Sequence, residues 1–230
     1  MKLLVSVRSV EEALLVAGAG ADFIDLKEPS AGALGGLPLA TIRAIVAALH
    51  RGAGALPVSA TIGDMPMAEA DGLLACVEAV GSCGVHYVKV GIERLPQAPK
   101  LLDALARSGW PVVPVFIADQ GLDLQHVAHA CSLGFPGVMA DTADKRSGSL
   151  FDAVPLVELR RLVALARGAG TMVGLAGALR IEHQPMLVAL APDFAGFRTA
   201  VCAAGRSSAI DPTRLRALTT LMRQFVAEPG

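Results

Sequence analysis

The chain has 230 residues, 53% of them hydrophobic and 18% charged, with a formal net charge of −1. That balance supplies no global field for nucleic acid or an anionic membrane, and 4% aromatic content leaves few stacking platforms for single strands. No apolar stretch reaches the roughly 20 residues needed to cross a bilayer, so the mean hydropathy of +0.53 points to a large packed interior rather than to lipid.

The opening Met1–Val7 run lacks the long apolar region and cleavage site of a signal peptide, and the expectation is a cytoplasmic protein. Cys76, Cys83, Cys131 and Cys202 show no C-x-x-C spacing and read as reduced thiols. No linker, charge block or low-complexity tract divides the chain, so residues 1–230 are expected to form a single catalytic domain.

In chain order, Leu3–Val7 reads as a strand and Val10–Ala19 as a helix. Gly20-Ala21-Asp22 then leads into a strand over Phe23–Lys27, followed by a helix over Leu39–Leu49. Strand Leu56–Thr61 precedes helix Met67–Val80, and Gly84 leads into strand Val85–Val90. Next come helix Ala98–Arg107, strand Val112–Ile117, helix Leu122–Cys131 and strand Gly137–Ala140. Helix Val154–Arg167, strand Thr171–Leu175, helix Ile181–Leu190 and strand Asp193–Phe197 follow. Asp211-Pro212 opens a last helix to Val226, with a capping acid and proline in the first turn. Glycine just past several helices is the expected stop signal. The strands are short and continuously apolar, as parallel strands covered on both faces are. Eight strand–helix repeats mean a closed barrel or a doubly wound open sheet. No G-x-G-x-x-G follows the first strand, which weakens the dinucleotide-binding version. The α/β fold expected is the (β/α)8 TIM barrel.

Two lysines stand out because they sit in apolar runs. Lys27 ends Phe23-Ile24-Asp25-Leu26-Lys27, and Lys89 lies in Val85-His86-Tyr87-Val88-Lys89-Val90. A buried ammonium is costly unless it is paired or loses its proton, and an unprotonated lysine is a nucleophile for carbonyl carbon. Barrel active sites stand at the carboxyl ends of strands. There the second strand offers Asp25 and Lys27, two apart and on one side of the strand. The third offers Ser59 and Thr61, the fourth Lys89, and the sixth Asp141 with Lys145 beyond it. Alternate strands feed common layers of a barrel, so Asp25, Lys27, Lys89 and Asp141 are expected to converge in its mouth. An ordinary rim charge or an Asp25–Lys27 ion pair is the competing reading.

Residues 140–152 form the most polar stretch of the chain, and Lys145 there could neutralise a phosphate. Gly177 after the seventh strand, and Arg198 with the loop Ala203-Ala204-Gly205-Arg206-Ser207-Ser208 after the eighth, fit the usual barrel phosphate site. His126 and His129 have no partner spacing that would complete a metal site, and no G-x-S-x-G marks a nucleophilic serine.

These residues resemble a known family. Leu3-Leu4-Val5-Ser6-Val7, Gly20-Ala21-Asp22-Phe23-Ile24-Asp25-Leu26-Lys27-Glu28-Pro29, Val58-Ser59-Ala60-Thr61-Ile62-Gly63-Asp64, Tyr87-Val88-Lys89-Val90-Gly91, Asp141-Thr142-Ala143 with Lys145, Leu150-Phe151-Asp152 and Leu175-Ala176-Gly177 are together similar to the (5-formylfuran-3-yl)methyl phosphate synthases. That family is also called 4-(hydroxymethyl)-2-furancarboxaldehyde-phosphate synthase. The resemblance implies a TIM-barrel lyase that condenses two molecules of glyceraldehyde 3-phosphate, with loss of phosphate and water, toward a methanofuran-type one-carbon carrier. It implies Lys27 as the Schiff-base lysine, Lys89 as proton acceptor, and Asp25, Asp141 and Lys145 as further active-site residues. It implies no metal and no organic cofactor. One departure is that Thr199 follows Arg198 where the family's pattern has glycine. The competing functions are a class I aldolase acting on another sugar phosphate and a non-catalytic sugar-phosphate-binding barrel. Ser59, Thr61, Gly177, Arg198 and Gly205 are the expected substrate or phosphate contacts. Alanine-rich helix surfaces could pack copies into a homo-oligomer.

Overall fold

A computed structural model describes residues 1–32, 34–52, 56–145 and 147–224. Eight parallel strands close into a barrel in sequence order: β1 (Lys2–Val7), β2 (Phe23–Leu26), β3 (Val58–Thr61), β4 (Tyr87–Ile92), β5 (Val112–Ile117), β6 (Gly137–Asp141), β7 (Met172–Leu175) and β8 (Phe194–Phe197). Closure comes from β8 pairing with β1, with Leu4 opposite Gly196. The helices described are α1 (Val10–Ala19), α2 (Leu39–Gly52), α3 (Ala70–Gly81), α4 (Ala98–Ala106), α5 (Leu124–Ser132), α6 (Leu150–Ala153), α7 (Leu156–Gly168), α8 (Gln184–Leu190) and α9 (Pro212–Gln224). The expected TIM barrel is therefore the observed one.

Local chemistry explains many of the boundaries. Ser9 caps α1 by accepting the Glu12 N–H, and Asp123 caps α5 by accepting those of Gln125 and His126. Asp211 accepts the N–H groups of Thr213 and Arg214 at the start of α9; residues 225 and 226 of the expected helix lie outside the described residues. Several expectations need correction: strand Leu56–Thr61 runs over Val58–Thr61 and helix Met67–Val80 over Ala70–Gly81, and three others have a clear local cause. The strand expected over Val85–Val90 runs over Tyr87–Ile92, because its ladder with β5 extends from Val88 to Ile92. The helix expected from Ile181 begins as a 3-10 turn, and α8 starts at Gln184 with Pro185 in its first turn. The polar segment after β6 contains α6, whose start is fixed by the Ser149 N–H and hydroxyl, both donating to Asp152.

Two apolar cores divide the work. The larger lies between the outer barrel face and the helices, with Ile24, Leu26, Val88, Leu102 and Leu159 among its buried residues. The smaller fills the barrel interior with Leu4, Phe23, Val113, Val115, Met139, Ala176 and Phe194. Its floor is a tilted aromatic pair, Phe23 and Phe194, with centroids 5.6 Å apart. Gly174 makes room for that pair, since a Cβ there would lie 2.1 Å from the Phe194 ring. The plugged floor leaves the polar end of the interior at the carboxyl ends of the strands. Gly174→Ala is therefore expected to lower stability by about 1–3 kcal/mol through overpacking, read as a fall in the denaturant midpoint at unchanged slope.

Candidate active site

The side chains of Asp25, Lys27, Lys89 and Asp141 stand above the apolar plug and line one cavity, with Ser6, Lys145, Gly177, Arg198 and Arg206 also on its wall. All four are buried: Asp25 is 2% exposed, Lys27 8%, Lys89 3% and Asp141 3%. The strands deliver them. β2 turns Asp25 inward and ends one residue before Lys27, whose N–H donates to the Val7 carbonyl at 3.0 Å. Lys89 comes from the middle of β4, and Asp141 is the last residue of β6.

The two lysines do not face each other unpartnered. Lys89 Nζ lies 2.8 Å from Asp25 Oδ1, and Lys27 Nζ lies 3.1 Å from Asp141 Oδ2. Asp25 is further held by the Ser59 hydroxyl, donating to Oδ1 at 2.6 Å, and by the Ser6 hydroxyl, donating to Oδ2 at 3.0 Å. Asp141 is shared. Its Oδ1 accepts from Lys145 Nζ and from the Thr142 N–H, so one carboxylate bridges two amines. Lys145 donates in addition to the Thr142 carbonyl and to Thr142 Oγ1.

These pairings set the protonation states. Burial works to raise the Asp25 pKa, but the charges of Lys89 and Lys27 outweigh it and hold the carboxyl below its usual range. Burial opposes ionisation of Asp141 too, yet Lys145 and Lys27 hold it far below that range. Lys145 moves the other way. Burial and the neighbouring Lys27 charge push its pKa down, against the pull of Asp141. Within this group, the carboxylates are fixed as anions and Lys145 is an amine that gives up its proton more easily than usual.

The other expected contacts separate. Ser59 serves Asp25 and is not on the cavity wall. The Thr61 hydroxyl donates to the Gly35 carbonyl at 3.0 Å, which ties down the loop after β2. Gly177 does reach the cavity. Its φ of +115° favours glycine, and a Cβ would approach Thr142 to 3.0 Å. Gly205, with φ +94°, is exposed at the tip of the β8 loop and off the wall.

Arg198 lines the cavity, but its five N–H groups all have protein acceptors. Nε donates to the Arg206 carbonyl at 2.9 Å, Nη1 to Ser6 O at 3.1 Å and Glu12 Oε2 at 2.5 Å, and Nη2 to Glu12 Oε1 at 3.1 Å and Ser208 O at 2.9 Å. It acts as a clamp between β1, α1 and the β8 loop. Ser6 and Glu12, which complete these networks, carry weak sequence signals. A polar residue at an inward position of β1 is the clue for Ser6, and Glu12 reads as an ordinary first-turn acid. Among the described residues, no group of three or more His, Cys, Asp or Glu is placed to hold a metal ion. His129 instead lies 2.9 Å from Asp103.

An eight-stranded parallel barrel with a lysine-rich cavity at the carboxyl end of its strands has the architecture of a TIM-barrel enzyme. The sequence profile of 4-HFC-P synthase matches residues 3–219, and the chain belongs to that family. A (5-formylfuran-3-yl)methyl phosphate synthase from Archaeoglobus fulgidus is 37% identical over 227 residues, covering 91% of this chain and 94% of the relative. A protein of the same name from Methanosarcina mazei is 34% identical over 224 residues, with the same coverage. Among solved structures, phosphoribosyl anthranilate isomerase from Thermus thermophilus aligns with a TM-score of 0.68 at 20% identity, covering 98% of this chain and 100% of that one. At that identity the likeness concerns the fold alone.

Two outcomes are expected. Arg198→Met removes the close partner of buried Glu12, leaving it the longer Arg8 contact at 3.8 Å, and should cost up to about 3–5 kcal/mol of stability, measured by chemical denaturation. The Asp141 contribution has a defined pH window. Its folded pKa is depressed, so the stability it adds is complete above the ordinary carboxyl value of about 4 and is lost as pH falls toward its own lower value. The stability gap between wild type and Asp141→Asn should be constant above about pH 5 and narrow progressively below about pH 4.

Proposed function

We propose that the chain condenses two molecules of glyceraldehyde 3-phosphate into 4-(hydroxymethyl)-2-furancarboxaldehyde phosphate through a Schiff base on Lys27, releasing inorganic phosphate and water. The product would serve as the furan precursor of a methanofuran-type one-carbon cofactor. Family membership supports the overall reaction. The observation that carries the mechanism is the pair of buried lysines, each on its own aspartate, in one cavity.

Lys27 must lose a proton before it can attack. Asp141 touches both Lys27 and Lys145, so once Lys145, whose pKa is pushed down, has released its own proton to solvent, it can take the Lys27 proton through Asp141. The neutral Lys27 amine adds to the aldehyde carbon of one triose phosphate, and loss of water gives the iminium. The iminium draws electrons from the neighbouring carbon and acidifies its C–H bond. Lys89 in its neutral form takes that proton and becomes an ammonium, with Asp25 orienting the nitrogen through the 2.8 Å contact. The resulting enamine has two productive outlets, expulsion of phosphate and attack on the second aldehyde. Ring closure and loss of water build the furan, and hydrolysis of the imine releases the carboxaldehyde and frees Lys27, with Asp141 and Lys145 positioned to move the protons. The cavity wall suits anionic substrates. Lys27, Lys89, Lys145, Arg198 and Arg206 face two aspartates, and among the described residues Arg198 alone of these cations forms an ion pair with a carboxylate off the wall, Glu12.

Borohydride reduction in the presence of glyceraldehyde 3-phosphate, followed by peptide mass mapping, tests the assignment. The adduct is expected on Lys27, and Lys27→Ala should abolish it while leaving the circular dichroism spectrum unchanged. An adduct on Lys89 would exchange the two roles. Lys89→Ala should lower kcat about 10²- to 10⁴-fold, the usual range for losing a general base. Turnover should release inorganic phosphate as a conjugated-aldehyde absorbance grows. A condensation product that keeps both phosphates would identify a Schiff-base aldolase instead.

A further inference from the structure

We infer that Arg206 is the side chain that grips the substrate's phosphate ester, and that Arg198 serves to hold Arg206 in place. The inference rests on the reading of the substrate as a phosphorylated aldehyde. It comes from counting which cations on the cavity wall have N–H groups left to offer.

Arg198 has none. Its five donors meet five protein oxygens, and Glu12 neutralises its charge within a buried pair. Lys145 is equally committed, with three ammonium hydrogens and three acceptors in Asp141 Oδ1, Thr142 O and Thr142 Oγ1. Lys27 and Lys89 each make one contact with an aspartate, but their remaining valences belong to the aldehyde chemistry. Arg206 differs. Among the described residues its guanidinium makes one hydrogen bond, Nη2 to the Gly32 carbonyl at 3.0 Å, and no ion pair. The carboxylates that act on it from farther away, Asp141, Asp64 and Glu28, are engaged elsewhere. Asp141 is held by Lys27 and Lys145, Asp64 accepts the Leu34 N–H, and Glu28 accepts from Ser30. The guanidinium is half-buried on the cavity wall with its remaining forked donors unassigned, and a planar fork is suited to two oxygens of one phosphate.

The local backbone supports this role. The Arg206 carbonyl accepts from Arg198 Nε, and the Ser208 carbonyl accepts from Arg198 Nη2, so the buried Glu12–Arg198 pair staples the backbone at Arg206 and just beyond it. One strand away around the barrel, the Gly32 carbonyl in the loop after β2 receives the side chain and sets its reach at the cavity mouth. Arg198 is thus a positioning residue, and Arg206 is the group that meets the ligand.

Isothermal titration with inorganic phosphate, using wild type and Arg206→Gln, reads anion binding without turnover. Removing a charge-assisted contact should weaken phosphate binding about 10- to 100-fold. It should raise KM for glyceraldehyde 3-phosphate by a similar factor while kcat changes only a few-fold. Borohydride trapping of unphosphorylated glyceraldehyde on Lys27 should proceed at the wild-type rate, which separates loss of the phosphate grip from general damage to the site. Arg206→Lys should recover only part of the affinity. Equal phosphate affinity in the two proteins, or an equal loss of trapping with both aldehydes, would overturn the assignment. A wild type that binds phosphate through Arg206 but traps no aldehyde would uphold Arg206 and remove the Schiff-base reading.

Discussion

Three ammonium groups gathered above a hydrocarbon plug can persist only because two carboxylates are buried with them. Transfer of each charge out of water costs several kcal/mol even after relaxation, and attraction between partners repays it only when the geometry is good and the remaining valences are filled. Asp25 meets that condition with Lys89, Ser6 and Ser59. Asp141 meets it with Lys27, Lys145 and the Thr142 N–H. The arrangement is not a source of net stability. It is tolerated by a fold whose stability comes from the apolar layers between barrel and helices.

The same constraint explains how the barrel is filled. Phe23 and Asp25 are two residues apart on β2, so both point inward, one into the floor and the other into the polar layer. β1 repeats the pattern with Leu4 below and Ser6 above, and β8 with Phe194 below and Arg198 above. Each of these strands changes from apolar to polar inward residues as it rises toward its carboxyl end. The floor therefore shields one side of the ionic network from water and leaves only the loop-lined mouth open.

The barrel and the lysine pair were legible in the sequence because both leave local signals. Continuous apolar runs separated by amphipathic segments and glycine stops mark the strand–helix repeat, and a lysine inside such a run is conspicuous. Boundaries were less legible. Val85 and His86 are as strand-like as Tyr87 and Val88, and only the pairing with β3 from Tyr87 and with β5 up to Ile92 places β4 later. The roles of the arginines were not legible at all. Arg198 at the end of a barrel strand looks like a phosphate ligand, but its acceptors are Glu12 and Ser6, which are 186 and 192 residues away in sequence. Ser59 and Thr61 show the same limit, since an inward hydroxyl can serve a substrate or a neighbouring group, and here they meet Asp25 and the Gly35 carbonyl.

On the proposed reaction, dividing the cations by type has a chemical logic. A phosphate dianion close to a lysine stabilises its ammonium form and raises its pKa. That would work against Lys27, which must be neutral to attack a carbonyl. An arginine can take the phosphate without conflict, because it stays protonated and has no nucleophilic duty. The protein carries these functions on different elements. The lysines rise from β2, β4 and the end of β6, whereas Arg206 enters from the β8 loop and leans on the rim at Gly32. The clamp formed by Glu12 and Arg198 then acquires a purpose beyond stability. On the proposed reaction, it would fix the place of the permanent cation that holds the substrate relative to the titratable amines that exchange protons.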